Sequence, residues 1–154
     1  MKIEQTPITG NENKEHLSEP QHILSEFYHA FNCKDLEKIS AIWAHSDEVI
    51  AQNPAGGIKQ GWKEIENVYK LIFQSGTNVK AEFYDYSIHE AGEMFYTVGK
   101  EKVRMEKDGE TITLTVRISR IFKMIDFQWK QVHLHGSIDD AKLLEQYQKA
   151  TKSN

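Results

Sequence analysis

From Gly76 onward the chain loses helical periodicity. It runs instead through four stretches rich in β-branched and aromatic residues: "VKAEFYDYSIH", "EMFYTVGKEKVRME", "ETITLTVRISRIFKM" and "WKQVHLHGSI". The gaps between them are short, with turn residues at Ala91-Gly92, Asp108-Gly109 and Asp126-Phe127. Successive strands joined by tight turns pair antiparallel. A sheet with one apolar face needs a second layer to cover it. These four strands therefore set the fold, and the remaining question is what packs on them.

The N-terminal half supplies helices. In "SEPQ", Ser18 is placed to cap a helix, with Pro20 in its first turn and Gln21 three residues after the cap. Ile23, Leu24, Phe27 and Phe31 then recur at helical spacing. "NCKD" breaks this helix, and Asp35 caps a second one carrying Leu36, Ile39, Ile42 and Trp43. A short strand, "EVIAQN", runs into the turn-like "PAGG". A third helix follows Gly61, burying Trp62, Ile65, Val68, Tyr69, Ile72 and Phe73 and closing at Gly76. "DDAKLLEQYQKA" predicts a terminal helical segment. Residues 1 to 17 lack periodicity and read as a flexible tail, leaving 18 to 154 as one domain. The expected class is α+β, in the order α-α-β-α-β-β-β-β plus a C-terminal helical segment. A curved, mostly antiparallel sheet wrapped around helices leaves a cone-shaped cavity at its wide end.

Composition narrows the functional classes. The chain has 154 residues, long enough to bury a sizeable core. Its net charge of −4 has the wrong sign for holding nucleic acid by phosphate neutralisation. No stretch reaches the roughly 18 apolar residues of a membrane span, and the polar start does not read as a signal peptide. One cysteine, Cys33, forms no internal disulfide and fits a reducing compartment, so a cytoplasmic location is expected.

Three passages carry a family resemblance: "FYHAFNCKDLEKISAIWA", "NPAGGIKQGWKEIENVY" and "RISRIFKMIDFQWKQVHLHGS". Taken in order, the chain from about 20 to 140 resembles the nuclear transport factor 2-like superfamily, in its SnoaL-like branch. The last passage is also similar to the end of the association domain of calcium/calmodulin-dependent kinase II. The resemblance implies the cone fold and a tendency to pair through the sheet, so a homodimer is expected. It does not imply one activity, because the fold hosts isomerases, cyclases, dehydratases and oligomerisation hubs. The ketosteroid isomerase chemistry of the superfamily does not transfer. Its aspartate base falls on Asn53, which cannot take a proton, its first-helix tyrosine falls on or beside Phe27, and "TVRISRIF" holds no acid.

His133 and His135 share one face of the last strand, and their neighbours depend on the preceding turn. A two-residue turn at Asp126-Phe127 sets Arg120 opposite His133. A three-residue loop sets Ser119 opposite His133 and Arg117 opposite His135. Either register puts an arginine on the histidine face, and the kinase-domain resemblance favours Arg120 as the one looking into the pocket. Two histidines without a third ligand at suitable spacing do not argue for a metal, and no cofactor is expected. They fit proton transfer or the polar lining of a pocket. The expected site therefore holds Arg120 as a clamp for an anion, His133 and His135 as hydrogen-bonding or catalytic groups, and Tyr28, Asn53 and Trp62 as lining. The expected ligand is a small polar or carboxylated molecule. The alternatives are an isomerase, cyclase or lyase using a histidine acid-base, and a non-catalytic oligomerisation or interaction module. If the histidines face inward, Val132 and Leu134 form an apolar outer surface.

Overall fold

The computed structural model describes residues 5–151. Helix α1 (Glu19–Asn32) starts where the capping pattern places it. Ser18 Oγ accepts from the Gln21 amide at 3.3 Å, and the Gln21 side chain accepts from the Ser18 amide at 3.0 Å. Asp35 caps α2 (Leu36–Ile42) through the Lys38 amide. Strand β1 (Ile50–Gln52) is followed by β2 (Lys59–Gln60) and α3 (Trp62–Gln74). The four long strands are β3 (Asn78–Ala91), β4 (Met94–Lys107), β5 (Glu110–Ile125) and β6 (Gln128–Ser137), and α4 (Ala141–Thr151) follows them. The protein is thus α+β, as the strand-after-helix order requires. Two details differ from expectation. The two-residue β2 is too short to leave a pattern, and α3 caps at Ser75, with Gly76 one residue beyond at φ 79°.

One six-stranded sheet runs in the order β2-β1-β6-β5-β4-β3. Only β1 and β6 pair in parallel; the other neighbours are antiparallel. The apolar face alternates through Val79, Ala81 and Phe83 on β3, Phe95 and Val103 on β4, and Val116, Ile118 and Phe122 on β5, all buried. Helix α1 lies across it: Tyr28 stacks on Phe83 with ring centres 5.9 Å apart, and Phe27 meets Tyr69 of α3 at 6.4 Å.

The segment from residue 5 to 17 departs from the loose tail expected of it; residues 1–4 lie outside the described residues. Ile8 is buried and exchanges two backbone hydrogen bonds with Phe83, each 2.8 Å. Gly10, at φ 93°, passes so close to the backbone of His29 that no Cβ would fit. Glu12 accepts from the Thr9 and Gly10 amides and from the Thr9 hydroxyl. One inserted apolar residue and a local carboxylate turn hold this stretch, and neither is periodic. Among the described residues no helix is long and apolar enough to cross a membrane.

Candidate functional site

The turn between β5 and β6 is the two-residue one, with Asp126 and Phe127 both at positive φ (50° and 64°) and Ile125 paired with Gln128. That register would continue to Arg120 opposite His133. It does not, because β6 bulges: Gln131 pairs with Phe122, Val132 is left over, and His133 pairs with Ile121. Arg120 therefore faces Leu134, and Ser119 faces His135. A bulge is invisible in an alternating sequence, so both expected registers need correcting. Arg120 and Leu134 turn inward, while His133 and His135 turn to the outer face with Arg117, Ser119 and Ile121. The expected outer pair of Val132 and Leu134 is likewise split.

Inside, the sheet and helices form a partly open cavity of about 70 Å³. Apolar side chains make most of its wall, among them Phe27, Ile65, Val103, Val116, Ile118 and Leu134. Its polar end is a buried ion pair. Arg120 Nη2 lies 2.9 Å from Glu101 Oε2, with the two side chains 2% and 12% exposed. The Tyr28 hydroxyl donates to the same oxygen at 2.7 Å and accepts from Arg120 Nη2 at 3.4 Å, while Arg120 Nη1 donates to Gln131 Oε1 at 3.0 Å. The Phe27 ring covers the guanidinium carbon at 4.0 Å. Burial works against the charge on Arg120, but Tyr28, Glu101 and Tyr69 more than offset it and hold its pKa above the usual arginine value. Burial first, and then the Glu101 carboxylate, raise the Tyr28 pKa well above 10, so its proton stays on the phenol.

Asn53 and Pro54, just past β1, reach the cavity, as do Tyr147 and Thr151 of α4. Asn53 Oδ1 accepts from the Ala55 amide at 3.0 Å, which turns the chain and leaves the side-chain nitrogen unengaged among the described residues. Of the expected site residues, Arg120 and Asn53 line this cavity, while Tyr28 does not line it and bears on it only through its bonds to Arg120 and Glu101. Trp62 does not line it: its ring stacks on His45, 4.9 Å away, beside Trp43. His133 and His135 do not line it either. His133 borders an outer recess with Met94, Ile121 and Val132, and burial and the neighbouring His135 push its pKa down. Sequence reasoning missed Glu101, Gln131 and Tyr147. Glu101 was findable, since it shares strand parity with the buried Val103 and Met105. The surrounding charges of "GKEKVR" masked it.

The SnoaL-like domain family matches residues 21–141. This chain belongs to that family. Among solved structures, this SnoaL-like chain is similar to a candidate dehydratase of the nuclear transport factor 2-like family from Streptomyces avermitilis (20% identity, 78% of this chain and 94% of the other, TM-score 0.70). It is similar also to a nuclear transport factor 2-like superfamily protein from Salmonella enterica (19% identity, 77% and 87%, TM-score 0.69). A third is a candidate calcium/calmodulin-dependent protein kinase II association domain from Xanthomonas campestris (13% identity, 87% and 97%, TM-score 0.69). At these identities the likeness is one of fold. None of the curated proteins matches the chain.

Proposed function

We propose that this SnoaL-like protein binds a small molecule in the cavity between the sheet and its helices. The observation that carries the reading is the Arg120–Glu101 pair at the end of a mostly apolar cavity. A buried ion pair is a weak source of stability, since well-packed apolar residues usually serve a core as well. One placed where apolar walls converge on a few polar groups matches the general form of a ligand site. The His133 and His135 version of an isomerase, cyclase or lyase draws no support from this cavity, because both imidazoles face away from it.

The test is a thermal-shift screen of small metabolites on wild type and on Ile118→Phe, which fills the cavity from its wall. A site ligand raises the wild-type midpoint, by about 2.7 kcal/mol of stability at 100 times its dissociation constant, and leaves the filled variant unmoved. Equal shifts in both proteins place the binding elsewhere and reject the reading.

We also propose that the outer sheet face is a contact between two copies. Tyr96 and Val98 are 40% and 47% exposed there, one strand from Ile121, and an apolar patch on a sheet usually marks an interaction site.

A further inference from the structure

Which ligand the cavity accepts depends on the hydrogen-bonding capacity its polar end has left, not on the presence of an arginine. Arg120 is already committed. Nη2 serves Glu101 and Tyr28, Nη1 serves Gln131, and Phe27 covers one face of the guanidinium. Its Nε is buried without a partner. Glu101 is committed on one side alone. Oε2 takes both the Tyr28 hydroxyl and the Arg120 guanidinium, and Oε1 takes no hydrogen bond among the described residues, although Glu101 lines the cavity. Asn53 has its carbonyl engaged and its amide nitrogen unengaged. Among the described residues, the valences open to the cavity are therefore one charged acceptor, Glu101 Oε1, and neutral groups able to donate, the Asn53 amide nitrogen and the Tyr147 hydroxyl; Arg120 Nε and Gln131 Nε2 lack partners but are sealed from it.

We propose that the cavity selects a small neutral alcohol, whose hydroxyl donates to Glu101 Oε1 and accepts from the Asn53 side-chain nitrogen, over a carboxylate of the same carbon skeleton. This rests on the cavity being a ligand site. A carboxylate brings a second negative charge beside Glu101 into an apolar enclosure, where like charges disfavour each other strongly. Arg120, already neutralised, does not balance it. An ammonium satisfies Oε1 but leaves a net positive charge against Val103, Val116 and Ile118. A hydroxyl satisfies the site without adding charge. Size narrows the class further. The cavity, about 70 Å³, is about half the roughly 150 Å³ void that admits benzene, so the probe must be well under benzene's size, and a two-carbon alcohol is suitable.

The experiment is a methyl-NMR titration of wild type with ethanol, acetate and ethylamine at pH 7, following the methyls of Val103, Val116 and Ile118. Ethanol binds at least about tenfold more tightly than acetate. In Glu101→Gln the order reverses, because Arg120 loses its counter-charge and acetate supplies one. If Glu101→Gln does not fold, the wild-type ratio decides. Acetate binding as tightly as ethanol to wild type, through the same methyls, overturns the selectivity and leaves the cavity a ligand site. No response of those methyls to any probe overturns both.

Discussion

At the scale of residues, the cavity's polar end works as a unit, and its members fail differently. Arg120→Ala strands Glu101 as a lone buried charge and is expected to cost about 3–5 kcal/mol in a urea titration. A loss under about 1 kcal/mol would mean the pair is hydrated rather than buried. Tyr28→Phe removes a 2.7 Å hydrogen bond to a carboxylate, and about 1.5–3 kcal/mol is expected. It also alters the alkaline limb of stability. The folded state raises the Tyr28 pKa by burial and by Glu101. Its proton-linked contribution is therefore whole below about pH 10 and lost as pH climbs above it. The phenylalanine variant lacks that loss. His133 behaves in the opposite sense. Burial and His135 depress its pKa, so its contribution is whole above about pH 6.5 and falls as pH drops through the folded value. His133→Gln should flatten stability on that acid side, and an unchanged slope would contradict the partial burial.

At the scale of elements, the β5–β6 hairpin decides the site. A turn at Asp126-Phe127 was legible, but whether it took two residues or three was not, because Asp-Phe lacks the glycine that marks a two-residue hairpin. The bulge at Val132 was not. It depends on how β6 must bend to pair both β5 and β1, a tertiary demand with no local signature. This is why the sequence joined Arg120 to the histidines and the fold separates them. Glu101 shows the reverse case: the signal was present in strand parity, and neighbouring lysines made it look solvated. The turn itself yields a prediction. Phe127 sits at φ 64° and is 99% exposed, a left-handed conformation that suits glycine. Phe127→Gly is expected to stabilise by about 0.5–1 kcal/mol, read as a raised denaturation midpoint. Destabilisation would argue that the exposed ring is held by something in solution, such as a second copy.

At the scale of the whole molecule, the helix-then-strand order fixed the α+β class, and the caps at Ser18 and Asp35 fixed where the helices start. What the order left open was which face of the sheet would be covered, since the meander alternates on both. The buried side is the one carrying Phe83, Phe95, Val116 and Phe122; the uncovered side carries Tyr96, Val98 and the two histidines. If two copies pair through that side, Val98→Lys lowers the mass seen by light scattering from dimer toward monomer and leaves cavity binding intact. A monomeric wild type would remove the proposed contact. The covered face holds the proposed ligand site, and a crystal structure grown with ethanol tests it most directly. The alcohol is expected among Val103, Val116 and Ile118, with its oxygen about 3 Å from Glu101 and Arg120 still paired to that carboxylate. An alcohol seated on the outer face beside His133, or a collapsed cavity with Glu101 turned to solvent, would contradict it.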